Sequence, residues 1–585
     1  MHWFLLLSLL ALRASASVIG AIPEQELSLD DMARRYTKRT AGGVHLPIVK
    51  RTSTNLERRA ASSAIGLGDF VDVSYTVLMT IGGITTSLIL DSGSSDLWVL
   101  SDACTQGCTG GVPVYPQASF KYSGVDVSLL YGDSRTGTYA DGTIGDDTVS
   151  LAGISLQSQY FGSMNRTNTS VLETGAAGIF GLGFPINSVI WNNLFVAETP
   201  KNNFGKKRDE EATLSKPHSK FGSPFPNLNF RTTTFPTVPG LMGGPTSGPV
   251  ARQTTSSILY AAFASWSTMG PFLPRLAATS GLSQPMFSVT LQRDTVDVGG
   301  LLGQLSIGEL PDGITSDKLT WVPLRLYTSV EGGLPAPPNS PAEVYPITWE
   351  VMVEGVYLDG ELLPQSAISS PNIGLSALID TGNSLIRGPS DVVSLITSKL
   401  GAKGLFPCNQ PHTLAFKIGG NMFPVDPRDF ATQALQDNVQ TCAPNLAATD
   451  PPKVGGYQFG WSLGTPFLKG VLSSYYFGNL TYPSRDPPKM GFLSTVPSDA
   501  GDRMKAAVAA AAKADNNFPA ISEPAPSGTS ARAQTDSNGI PQATGTGSMT
   551  RTNSGALHLG PLRPAWTSLV AGVLMVSLMF MRTWI

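Results

Sequence analysis

The chain holds 585 residues, 41% of them apolar and 14% charged, enough length and apolar content for two sizeable lobes with appendages. Its net charge of −3 at pH 7 supplies no field to gather nucleic acid, and the basic residues stand in short clusters, which argues against a nucleic-acid partner. No HExxH, Walker A or GxGxxG motif is present, so neither a metal nor a nucleotide cofactor is indicated.

The opening MHWFLLLSLLALRASASV carries an apolar run too short to span a bilayer, followed by the small-x-small pattern Ala14-Ser15-Ala16. It predicts a signal peptide over 1–16; a buried N-terminal helix would leave the cleavage pattern without a reason. The compartment is then oxidising, and the four cysteines are expected to pair rather than hold zinc. Three connectivities are open; the sequence-local one joins Cys104 to Cys108 and Cys408 to Cys442. Residues 17–59 are polar and punctuated by Lys38-Arg39, Lys50-Arg51 and Arg58-Arg59. Such pairs in a secretory chain invite processing proteases, so this segment is expected to be a propeptide, with the mature chain starting near Ala60.

From residue 69 the pattern changes to strands. FVDVSYTVLMTIGG alternates apolar and polar residues, turns at Gly-Gly, and TTSLILDSG runs back. That hairpin delivers Asp91 into the turn Ser92-Gly93-Ser94. Much later IGLSALIDTGNSL repeats the arrangement and delivers Asp380 into Thr381-Gly382-Asn383. Each acid is followed by an apolar stretch closed by glycine, at Gly181 (90 residues on) and Gly464 (84 residues on). The repetition implies a duplicated, all-β, bilobal chain with the two turns facing each other at the seam. Two carboxyls brought together there cannot ionise independently, so one proton is retained between them. One acid then serves as base and its partner as acid toward a water and an amide carbonyl. Gly93 and Gly382 permit close approach, and Ser92 and Thr381 can hydrogen-bond backbone across the seam.

These motifs, Asp91-Ser92-Gly93-Ser94-Ser95 with Trp98 and Asp380-Thr381-Gly382, resemble those of pepsin-type aspartic endopeptidases, and within them the fungal, surface-anchored yapsin-like group. The resemblance covers roughly residues 65 to 495. It implies the pepsin-like fold with a cleft between two β-lobes, and a monomer acting on proteins or peptides at acidic pH. It also implies a hairpin flap carrying Tyr131-Gly132, with the Tyr131 phenol near the Trp98 indole. Asp133, where pepsins usually carry a hydroxyl, suggests basic residues near the scissile bond. Asn383 departs from the family: a Thr or Ser there usually donates to the outer oxygen of the second aspartate, and although an amide N–H can still donate, the departure opens the geometry and the dyad pKa to a shift. Lys50 approximates the propeptide lysine that neutralises the dyad in family zymogens. The competing reading, a bilobal peptide-binding wall or adhesion protein without catalysis, has Asn383 as its one supporting feature.

The N-terminal β-lobe is expected over 60–195, a Pro/Gly/Thr-rich insertion over 196–255, the end of that lobe and an interlobe region over 256–320, and the C-terminal β-lobe over 321–497. Lys206-Lys207-Arg208 in the insertion is a candidate processing site. GWSLG at 460–464 matches a serine-hydrolase elbow, but that mechanism needs a later histidine and a βαβ frame, and only His558 follows. Residues 498–555, MKAAVAAAAKAD followed by Ser, Thr, Gly and Pro, read as a glycosylated stalk opened by a short helix. Over 556–585 a spacer and an apolar end follow Asn553-Ser554-Gly555, the layout of a glycolipid-anchor signal at a cell surface or wall, against the alternative of a short transmembrane helix. Sequons stand at Asn165, Asn168 and Asn479.

Overall fold

In the computed structural model the residues described are 37–52, 73–108, 112–131, 138–169, 171–172, 174–199, 249–291, 303–370, 372–435, 437–452 and 457–518, with two short strand pieces at 534–535 and 541–542. Strands dominate, in the bilobal arrangement expected.

The hairpin that delivers Asp91 is made by Val73–Ile81 and Ile84–Asp91, closed by Gly82 and Gly83 at φ of 55° and 81°. Two consecutive positive φ values match the twist of a tight antiparallel hairpin, and glycine reaches them without strain. Thr85 to Asp91 are all buried, because layers cover both faces of this strand; its apolar run is therefore continuous rather than alternating.

The duplication is visible in the pairing. Ile84–Asp91 runs parallel to Gly178–Gly181, with Asp91 opposite Gly181, and Gly178–Gly181 runs antiparallel to Leu97–Leu100. In the second half Ser376–Ile379 runs parallel to Trp461–Leu463, which runs antiparallel to Ile386–Pro389. Each acid thus ends a central strand, and the strand closed by the downstream glycine is its parallel neighbour.

A 14-stranded sheet links the lobes, passing from Thr320–Pro323 through Val471–Tyr476, Met286–Thr290, Gly303–Ile307 and Val44–Thr52 to the Asp91 hairpin and the flap strands. Val44–Thr52 lies in the segment expected as propeptide, yet it is a full member of this sheet, antiparallel to Gly303–Ile307 on one side and Val73–Ile81 on the other. Val44, Leu46 and Ile48 are buried. The Lys50 backbone stands opposite Tyr75; its side chain, like Arg58 and Arg59, lies outside the described residues.

Two boundaries differ from the sequence reading. The helix Pro249–Met269 begins inside the stretch expected as insertion, and its later turns belong to the first lobe: the Trp191 indole donates to Ser265 Oγ at 2.8 Å, and Gln159 Nε2 donates to Gly270 O at 3.1 Å. The helix Ala500–Ala511, expected to open a free stalk, docks on the second lobe through Met504, Val508 and Ala511. Asn517 fastens its end, Nδ2 donating to Asp437 Oδ1 at 2.8 Å and Oδ1 accepting from Asp437 N and Gln433 Nε2 at 2.9 and 3.0 Å. Packing at i, i+4 on one helical face explains the docking. Met504→Ala should therefore lower unfolding free energy by roughly 2 kcal/mol, read from the urea midpoint; an unchanged midpoint would mean the helix is not part of the folded unit.

Both sequence-local disulfides are formed, Cys104–Cys108 and Cys408–Cys442. The second closes a loop of sequence separation 34 and ties Phe406–Pro407 to Asn438–Pro444.

Candidate active site

The two Asp-hydroxyl-Gly turns meet at the seam and are stitched by four hydrogen bonds. Ser92 Oγ donates to Ile379 O at 2.8 Å and accepts from Thr381 N at 2.9 Å. Thr381 Oγ1 donates to Leu90 O at 2.7 Å and accepts from Ser92 N at 2.9 Å. Each hydroxyl is both donor and acceptor to the opposite lobe, so every buried polar group in the stitch is satisfied. The glycines make room for the acids. A Cβ on Gly93 would stand 2.5 Å from Asp380 Oδ1, and one on Gly382 would stand 2.5 Å from Asp91 Oδ1.

Asp91 and Asp380 are 2% and 1% exposed, and each carboxyl lies against the glycine of the opposite turn, yet their surroundings differ. Asp91 Oδ1 accepts from Gly93 N at 2.9 Å, and its Oδ2 accepts from the Ser94 hydroxyl. Burial pushes its carboxyl above the usual range, and these donors, Ser94 first, hold the rise in check. Asp380 Oδ1 accepts from Gly382 N at 3.0 Å, but Oδ2 has no donor. Burial and then the neighbouring Asp91 charge push Asp380 well above the usual range. Asp380 is therefore the carboxyl of the two that holds a proton more readily, and Asp91 the one that ionises first. That places an acid beside a base at the seam between the two turns.

Asn383 does not take the expected hydroxyl's place. Its Nδ2 donates to Ser462 Oγ at 2.9 Å, and its Oδ1 accepts from Leu385 N at 3.1 Å. The amide is turned away from Asp380 because Ser462, on the neighbouring strand, and Leu385, in its own turn, satisfy both its ends. The same contact disposes of the serine-hydrolase motif: Ser462 is 0% exposed and committed to Asn383, so its hydroxyl cannot meet a substrate.

The flap strands Lys121–Tyr131 and Thr138–Leu151 pair down to Tyr131 opposite Thr138. Trp98 Nε1 donates to the Tyr131 phenol at 2.5 Å, the contact expected. Burial, then the charges of Asp91 and Asp96, push that phenol well above its usual range, so it stays protonated at any working pH. Gly132 and Asp133 lie outside the described residues.

Sequence reasoning missed three residues. Asp96, five positions after Asp91, is buried and caps the helix Val189–Glu198, accepting from Ser188 Oγ, from Val189 N at 2.9 Å and from Ile190 N at 3.2 Å. An acid in a buried β-rich run was the available signal. Trp349 Nε1 crosses the seam to Leu182 O at 3.0 Å, and the buried Tyr457 hydroxyl crosses it to Asn187 Oδ1. Nothing local in the sequence marks either pair.

Of the sequons, Asn168 is exposed and Asn165 and Asn479 are half-buried. Asn479 Oδ1 is held by Thr481 N and Tyr482 N at 3.0 and 2.8 Å. Asn553, Ser554 and Gly555 lie outside the described residues, among which no helix is long and apolar enough to cross a membrane.

Residues 74–204 and 245–482 match the model of the eukaryotic aspartyl proteases. The gap between those segments falls within the expected insertion. The chain is 25% identical to cathepsin E-A of Xenopus laevis over 426 residues, covering 70% of this chain and 79% of that protein. It is 24% identical to major aspartyl peptidase 1 of Cryptococcus neoformans over 469 residues, 77% of this chain and 74% of that protein. It is also 24% identical to an aspartic protease of Phaffia rhodozyma over 499 residues, 82% of this chain and 90% of that protein.

Proposed function

Because the chain belongs to the eukaryotic aspartyl protease family, we propose that it is a secreted, surface-anchored endopeptidase, made as a zymogen, that cuts peptide bonds at acidic pH. The observation that carries this reading is the pair of buried carboxyls, Asp91 and Asp380, brought together at the seam by the two turns, where burial and mutual repulsion favour retention of one proton. In the proposed reaction ionised Asp91 takes a proton from a water as the water oxygen attacks the scissile carbonyl carbon. Protonated Asp380 gives its proton to the carbonyl oxygen, producing a neutral tetrahedral diol. Asp91 then returns its proton to the amide nitrogen, the C–N bond breaks, and a diol hydroxyl proton goes back to Asp380. Acid and base are regenerated with no covalent intermediate.

The pH dependence follows with its sign. Turnover requires one retained proton, so the rate falls as pH rises through the raised range of Asp380. Cleavage of a mixed peptide library at pH 3 to 7, with and without a statine inhibitor, tests the reading. Inhibitable cleavage strongest on the acid side is expected; a profile centred above neutral would contradict it. Cleaved sites enriched in Lys or Arg would support a contribution from Asp133.

The zymogen reading is supported by Val44–Thr52, which occupies the middle of the interlobe sheet. Cleavage at Lys206-Lys207-Arg208 would leave two chains, since each disulfide lies within one lobe. They would still interlock, because residues beyond the insertion pack on the first lobe through Ser265 and Gly270. A single full-length mature band on a denaturing gel of native material would count against the cut. Release by phosphoinositide-specific phospholipase C supports the glycolipid anchor, and retention with the detergent phase supports a membrane helix instead.

A further inference from the structure

The two halves of the chain provide their own internal comparison. In the first, the third residue after the acid is Ser94, whose hydroxyl donates to Asp91 Oδ2. In the second, the third residue after the acid is Asn383, and it donates to Ser462 Oγ at 2.9 Å instead. Asp380 Oδ2 is consequently a buried carboxylate oxygen with no hydrogen-bond partner. Such an oxygen is costly to leave charged, because a buried anion needs donors to replace the water it has lost.

We propose that Asn383 and Ser462 are a positioning pair that sets the upper pH limit of the enzyme. Ser462 holds the Asn383 amide away, Asp380 Oδ2 is left bare, and the shared proton is retained to higher pH than a hydroxyl at position 383 would allow. The inference rests on the two-carboxyl reading above. Loss of the second proton creates two anions at the seam, and each donor removed from one of them makes that state less accessible. The other groups facing Asp380 do not replace the missing donor. Asp91 adds like charge from the opposite turn, and Arg387, on the strand Ile386–Pro389, opposes it from a distance. Tyr475, on the strand Val471–Tyr476, is an uncharged phenol pushed above its usual range by burial, and the Tyr131 phenol of the flap faces Asp91. The pair also gives the otherwise unused Gly-Trp-Ser-Leu-Gly motif a role: its serine acts on catalysis through Asn383 without meeting substrate.

The test is the pH profile of kcat/KM for Asn383→Ser, which rebuilds the arrangement of Ser94 on the second acid, beside Asn383→Ala, which cannot donate. Asn383→Ser should move the upper limb toward acid by about one pH unit, roughly a tenfold loss at the pH where the wild-type limb is falling, with the acid-side rate retained. Asn383→Ala should keep the wild-type upper limb. Upper limbs that coincide for wild type and Asn383→Ser, or a loss by the same factor at every pH, would overturn the proposal. If Asn383→Ser does not give a cooperative thermal transition, Ser462→Ala is measured in its place. It should shift the limb in the same direction, and an unshifted limb overturns the proposal. Wild-type protein without statine-sensitive cleavage would overturn the protease reading itself, an outcome distinct from an unshifted limb in an active enzyme.

Discussion

Asp91→Asn is expected to reduce kcat/KM for peptide hydrolysis by roughly 10,000-fold or more while leaving the fold intact. The asparagine oxygen can still accept from Gly93 N or from the Ser94 hydroxyl, the two donors now on the carboxylate, so the turn keeps its anchors. What disappears is the base. An amide cannot take a proton from water, and it cannot share one with Asp380. Asp380→Asn should cost a similar factor by removing the acid, and the double variant should be little worse than either single one, because the carboxyls act as a unit. The readout is initial rate on a single fluorogenic peptide at the wild-type optimum, with near-ultraviolet circular dichroism as the check on packing. A variant retaining a tenth of the rate would refute the dyad. Folded, processed wild type that binds peptides without cutting them would favour the peptide-binding alternative, and Asn383 would become the first residue to revert.

The halves of the site were unequally legible in the sequence. A β-rich run ending in Asp, a hydroxyl residue and Gly is a local pattern, and its recurrence at Asp380 made the seam and its four-bond stitch foreseeable. The downstream glycines were visible as a spacing, but their meaning needed the pairing: Gly181 stands opposite Asp91, and Asp380 N donates to Leu463 O, the residue before Gly464. Hydrogen-bond choice at long range was not legible. Asn383 could have donated to Asp380 or to any acceptor near it, and its actual partner, Ser462, lies 79 residues on. The Ala-rich stretch after 500 read as a helix, and Met504 and Val508 at i, i+4 were there to be read as its docking face. The low-complexity sequence that follows drew attention to the whole segment as a stalk. The strand Val44–Thr52 failed differently. Its β-forming residues were in view, but membership of a central sheet depends on the two edges that await it, Gly303–Ile307 and Val73–Ile81, and neither is local.

The second large effect is on stability, at Asp96. Burial pushes this carboxyl up to about 6 from 3.8, against the opposing pull of Ser188, Val189 and Ile190, whose donors and helix N-terminus favour the anion. Desolvation wins because the group is buried under the Asp91 loop and the helix it caps. The folded state thus binds the proton more tightly than the unfolded chain does, and stability tied to this group is fully present below pH 3.8, lost as pH rises from there to about 6, and flat beyond. The difference corresponds to about 3 kcal/mol. Asp96→Asn should remove that slope. The variant loses one acceptor at the helix N-terminus, so it should be less stable than wild type near pH 3, by about 1 kcal/mol. It should equal or exceed wild type at pH 7, where the wild-type carboxylate is charged and buried. The measurement is urea unfolding of both proteins at pH 3.5, 5 and 7, comparing the change in unfolding free energy across the range and not its value at one pH. Parallel curves would show that Asp96 titrates in the fold as it does in the unfolded chain, and that the three helix donors alone are enough to hold its charge. Curves that cross between about pH 4 and 5 and separate above it would place the protein's loss of stability toward neutral pH at this one carboxyl, outside the catalytic pair.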